Sequence, residues 1–106
     1  MTIHQWDIVV LALPYGLSQD PRPCVVLEPP APDGTLCVMP LSSHLALSQE
    51  WRDFVFDPTH PDFRATGLRR PSFANGSQIH RTRGSVLKKI GQLEGTLLRS
   101  FREWIG

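Results

Sequence analysis

Arg22-Pro23-Cys24-Val25-Val26-Leu27 sets a guanidinium at the mouth of a short, strongly apolar run. Pro21 and Pro23 confine the backbone around Arg22 to extended or turn geometry, so the charge is presented from a stiff loop end. The next apolar run, Thr35-Leu36-Cys37-Val38-Met39-Pro40-Leu41, ends at the polar pair Ser42-Ser43. Between the two, Glu28-Pro29-Pro30-Ala31-Pro32-Asp33-Gly34 makes a turn nearly obligatory. A hairpin of these runs carries Arg22 and the serine pair to one edge of a sheet. Pro40 lacks an amide donor, which predicts a sheet edge or a bulge at that end of the strand.

Upstream, Asp7-Ile8-Val9-Val10-Leu11-Ala12-Leu13 is rich in β-branched residues, is too short for an ordinary helix and stops at Pro14, so it reads as a buried strand. Residues 14–21 follow as a loop. Downstream, residues 42–49 are polar and carry no clear period, and Trp51 to Phe56 alternates as a half-buried strand does. Asp57 to Gly67, with Pro58 and Pro61, reads as a long loop without regular structure. Leu68 to Phe73 and Ser77 to Arg81 are expected to be short strands separated by the Asn75-Gly76 turn signal. Val86 to Ile90 reads as a basic amphipathic turn, and Ile90 to Leu93 as a last short strand. From about Gly95 the period changes. Leu97, Leu98, Phe101, Trp104 and Ile105 mark one face of a helix whose other side carries Arg99, Arg102 and Glu103. Its start lacks a good local cap, because Glu94-Gly95 stands where Ser or Asp would be favoured. Short strands, long turns and one terminal helix predict a mostly β (α+β) fold, a small antiparallel barrel or strongly bent sheet with a C-terminal amphipathic helix.

The 106 residues fit a single domain, 1–106, with one modest core, so an active site must lie in a surface groove or at a subunit boundary. A hydrophobic content of 41% with 20% charged residues excludes a disordered chain. The net charge of +1 gives no overall pull toward nucleic acid. The distribution says more: Arg64, Arg69, Arg70, Arg81, Arg83, Lys88, Lys89, Arg99 and Arg102 all fall in the second half, which permits a local phosphate-binding face, although a solvated surface is the commoner outcome. No basic, long apolar leader and no run of ~20 apolar residues is present, so a cytosolic protein without a membrane span is expected. Cys24 and Cys37 lie inside the apolar runs and are expected to be buried, reduced thiols, and the four histidines are scattered. Neither pattern supports a metal site.

Asp7-Ile8-Val9, Arg22-Pro23-x-Val25-Val26-Leu27, Val38-x-Pro40-Leu41-Ser42-Ser43, Thr66-Gly67-Leu68-x-x-Pro71-Ser72, Ser77-Gln78-Ile79 and Leu87-x-x-Ile90-Gly91-x-Leu93 follow one another along nearly the whole chain. Their order resembles that of PemK/MazF-like toxins. The resemblance implies an SH3-like barrel with a C-terminal helix, usually a homodimer, acting as the toxin of a toxin–antitoxin pair. Active relatives cut single-stranded RNA without a metal or other cofactor, leaving a cyclic phosphate and a 5′ hydroxyl. The family's catalytic Arg matches Arg22, and its Thr or Ser at the end of the third strand matches Ser42, with Ser43 beside it. Three departures stand out: Trp6 replaces the Gly that normally precedes Asp7, the loop before Arg22 is shorter, and Ser77 stands where some members carry an acid.

Such cleavage needs a proton removed from the 2′ hydroxyl, charge stabilised on the phosphoryl oxygens and a proton delivered to the leaving oxygen. Arg22 suits the second task through two parallel charge-assisted bonds. Ser42 can donate to a phosphate oxygen but is no base. Asp20 and His80 are the candidates for acid–base work. Tyr15 and Trp51 are candidates for base stacking, and Gln19, Ser43, Gln78 and Arg81 for polar contact with substrate. Each role has a plainer rival: Arg22 in an ion pair with Asp7 or Asp20, Ser42 capping its turn, Asp20 a turn former, Gln78 bonded to nearby backbone, His80 on a solvated strand. An alternative function is a same-fold binding protein without catalysis, or a toxin that inhibits a topoisomerase. A cognate antitoxin would shield the groove with acidic residues and apolar anchors.

Overall fold

β1 (Asp7–Leu11), β2 (Arg22–Val26) and β3 (Leu36–Ser42) form an antiparallel meander from the three apolar runs. The computed structural model describes residues 2–12, 21–49, 52–83 and 86–106. The described sheet adds β4 (Phe54–Phe56), β5 (Ser72–Ala74), β6 (His80–Thr82) and β7 (Val86–Gln92), giving seven antiparallel strands in the order β4-β5-β3-β2-β1-β7, with β6 also on β3. A single described helix, α1 (Gly95–Ile105), follows. The result is a small, barrel-like α+β fold.

The first three strands read as near-continuous apolar runs because both of their faces are buried. Ile8, Val25, Cys37, Met39 and Leu41 pack with Phe56, Phe63, Leu97 and Phe101 on one face. Val9, Leu11, Cys24, Val26, Leu36 and Val38 form a second cluster on the other. α1 covers the first cluster with Leu97 and Phe101 fully turned in and with Leu98, Trp104 and Ile105 partly so, as its period predicted. Trp6 takes a left-handed φ of 73°, the conformation a Gly would adopt at least cost. Its backbone is bonded on both sides, its amide donating to Val26 (2.7 Å) and its carbonyl accepting from Leu93 (2.8 Å).

Several boundaries differ from the sequence reading. Pro40 lies inside β3, paired with Cys24 of β2 on one side and, on the other, in the gap between two partner strands rather than at an outer edge of the sheet. The Leu27 amide donates to the Cys37 carbonyl, so by alternation Pro40 turns its missing donor away from β2. That is where β3 changes partner, from β6 along Leu36–Val38 to β5 along Leu41–Ser42. β5 and β6 therefore both pair with β3, and the Asn75-Gly76 turn is no hairpin; the Asn75 side chain instead accepts from the Ser77 amide and hydroxyl at 2.9 and 2.7 Å. Leu68 to Pro71 is not strand, and β5 begins only at Ser72. Within the loop 57–67 sits a 3-10 turn, Arg64–Thr66, and another, Leu45–Leu47, occupies the polar stretch after Ser43. β4 is confined to Phe54–Phe56, and Trp51 lies outside the described residues. The expected basic turn and short last strand are one seven-residue strand, β7. Its register against β1 skips Leu87 and Ile90, and these bulges break the alternation that marks a strand in sequence. α1 is capped from afar: the Asp62 carboxylate accepts the Leu97 amide (3.3 Å) and the Thr96 hydroxyl (3.1 Å).

Candidate functional site

The β2–β3 ladder pairs Cys24 with Pro40. Carried two residues further, this register sets Arg22, the first residue of β2, opposite Ser42, the last of β3. Both line one open groove of about 720 Å³, together with Ser43 and His44. The β2–β3 hairpin thus brings Arg22 and the serine pair to one edge of the sheet.

Two glycines build the opposite wall. Gly67 ends the Arg64–Thr66 turn at a φ of 73°, and a Cβ there would collide with the Ile90 carbonyl. Gly91 in turn lies so close to Ala65 and Thr66 that a side chain has no room. The turn therefore rests directly on β7, and Leu68, Arg69 and Arg70 are delivered over the groove. Buried Thr66 fixes the exit, its hydroxyl donating to the Phe63 carbonyl (2.6 Å) and accepting from the Leu68 amide (3.1 Å). Ser72 donates to the Arg70 carbonyl at 3.0 Å and holds the arginine pair in place. The bulged strand β7 supplies Lys88 and Ile90.

The electrostatic outcome is one-sided. Arg22, Arg69, Arg70 and Lys88 line the groove, and its described lining contains no carboxylate. Asp7, weighed as a partner for Arg22, is committed elsewhere: it is buried, takes Lys89 at 3.1 Å and accepts the His4 amide at 2.7 Å. The plainer reading of Ser42 is partly met, because its Oγ accepts the His44 amide at 3.1 Å. That bond uses an oxygen lone pair and leaves the hydroxyl proton to be donated. Cys24, two residues from Arg22, is no nucleophile: burial pushes its thiol up to about 12, against the lowering influence of the guanidinium.

The other sequence candidates divide. Tyr15, Gln19 and Asp20 lie outside the described residues. His80 and Arg81 sit on β6, where His80 pairs with Val38, four residues back along β3 from Ser42 and so about 13 Å away. Neither they nor Gln78, in the turn before β6, lines the groove. Arg81 is held in a two-point ion pair with Glu28, at 3.0 and 3.2 Å, which lowers the Glu28 carboxyl. Sequence reasoning missed His44, which lines the groove from an exposed turn. It also left Arg69, Arg70 and Lys88 as general surface charge, since three separate segments must fold before they meet.

Among the described residues no group of three or more His, Cys, Asp or Glu is placed to hold a metal ion. No helix among them is long and apolar enough to cross a membrane. No model of a known protein family matches the chain, and no curated protein matches it either.

Proposed function

We propose that this protein is the toxin of a type II toxin–antitoxin pair, acting in the cytoplasm as a metal-independent endoribonuclease on single-stranded RNA. The ribose 2′ hydroxyl attacks the adjacent phosphate, leaving a 2′,3′-cyclic phosphate and a 5′ hydroxyl. What supports this reading is the convergence of Arg22 with Ser42 and Ser43 in a groove whose described charges are all positive. Arg22 spans two phosphoryl oxygens with its planar fork as negative charge grows there. The Ser42 hydroxyl, held through its oxygen by the His44 amide, donates to the same phosphate. Arg69, Arg70 and Lys88 neutralise neighbouring phosphates and hold the strand in register. An acidic antitoxin segment with apolar anchors closes the groove, and pairing of two copies extends it.

The test is purified protein on single-stranded RNA in excess EDTA. Cleavage that survives chelation, yields cyclic-phosphate ends and falls about 10²–10³-fold in Arg22→Ala is the expected outcome. The lack of a carboxylate in the described groove favours one second reading, a same-fold protein that binds nucleic acid without cutting it. Intact RNA retained on the protein, lost in Arg22→Ala, would decide for that reading.

A further inference from the structure

The cleavage reaction needs a group that accepts a proton, and most of the groove is unfit for it. Arginine stays protonated, a lysine ammonium has no lone pair, and a serine hydroxyl is not a base near neutral pH. Among the described residues the charged groups around the groove are Arg22 from β2, Arg69 and Arg70 from the segment before β5, and Lys88 from β7, with no carboxylate in the described lining. His44 is the one described lining residue whose side chain, as a neutral imidazole, offers a nitrogen lone pair to a proton. It stands two residues beyond Ser42 and is tied to it, its amide donating to Ser42 Oγ at 3.1 Å. The local turn thus ties the His44 backbone to the hydroxyl assigned to the phosphate, and His44 lines the same groove as Arg22 and Ser42. The side chain is exposed, so no packing role accounts for it.

We infer that His44 is the general base of this groove, a role that rests on the ribonuclease reading above. The neutral imidazole takes the 2′ hydroxyl proton as the O2′–P bond forms and the P–O5′ bond breaks. The departing O5′ takes a proton from water, and the hydroxide so formed accepts the proton that His44 holds. Atoms and charge balance, and the imidazole returns neutral.

His44→Ala and the wild type are compared by kcat, KM and pH profile on a single-stranded RNA, with circular dichroism as a check that the fold is kept. His44→Ala is expected to lower kcat about 10²–10⁴-fold with little change in KM, to lose the rising limb of the wild-type profile, and to regain rate with added imidazole. A variant that cuts within about threefold of wild type on the same pH profile overturns the base role and leaves the ribonuclease reading standing. So does a limb that survives in His44→Ala but vanishes in Asp20→Asn or His80→Gln. A wild-type protein that cleaves no RNA overturns both together, and is told apart by the absence of product from every variant.

Discussion

A methyl group at Gly67 would have to share space with the Ile90 carbonyl while the backbone holds a left-handed φ of 73°. Strain of about 1–2 kcal/mol in that conformation adds to an overpacking cost of similar size, so Gly67→Ala is expected to destabilise the fold by about 2–4 kcal/mol in urea titration. RNA cleavage should fall as well, because the same glycine sets where Arg69 and Arg70 stand. Asp53 is a second single-residue control. Its buried carboxylate takes the Arg52 guanidinium at 2.7 and 3.2 Å, the Gln49 amide at 2.8 Å and the Gly76 amide at 3.4 Å. Arg52 first, and the two amides after it, hold this carboxyl below its ordinary value. A lowered folded value means stability that is complete above the carboxylate range near pH 4 and is lost as pH falls through the lower folded value. Thermal melting is expected to drop below about pH 4, and Asp53→Asn to flatten that acid limb while lowering stability at neutral pH by about 1–3 kcal/mol.

α1 is kept in place by packing and by a cap borrowed from another segment. Phe101 is fully buried and meets Trp6, Phe54, Phe56 and Trp104 with ring centroids 5.3–6.0 Å apart. Phe101→Ala is therefore expected to cost about 3–5 kcal/mol, a large share of the 5–15 kcal/mol typical of a domain. Asp62→Ala removes the cap together with a 3.9 Å contact to His60, so hydrogen exchange should quicken several-fold at the Leu97 amide while the β1–β2–β3 amides keep their protection. The same elements show what the sequence made legible. β1, β2 and β3 were readable because burial on two faces demands uninterrupted apolar runs, and α1 because its packing face repeats every turn. β7 was not, since its bulges at Leu87 and Ile90 and its consecutive lysines erase the alternation of a half-buried strand. The Asp62 cap could not be read either, as it joins positions 35 residues apart.

At the scale of the molecule, the net charge of +1 conceals a separation of sign. Among the described residues Glu28 pairs with Arg81, Asp33 with Arg83 and Asp7 with Lys89, none of these acids in the groove lining, while the described lining keeps Arg22, Arg69, Arg70 and Lys88. Half of the site was legible for a reason of topology: a hairpin must return its two ends to one edge, so Arg22 and Ser42 were bound to meet. The other half depended on a 3-10 turn resting on a bulged strand, a long-range fit between Gly67 and Gly91 that no local pattern encodes. The charge arrangement is testable without any turnover, using a DNA oligonucleotide that lacks the 2′ hydroxyl and cannot be cut. If all four cations displace counterions from a single strand, the logarithm of the binding constant should fall with the logarithm of salt with a slope of about −2.8, at about −0.7 per phosphate neutralised. Replacing Arg69 and Arg70 together by Ala should bring the slope to about −1.4, whereas Arg81→Ala, which breaks the outlying pair with Glu28, should leave it unchanged. A slope indifferent to the Arg69 and Arg70 pair would mean that nucleic acid is held on another face, and with it the convergence at Arg22 and Ser42 would lose its electrostatic reason.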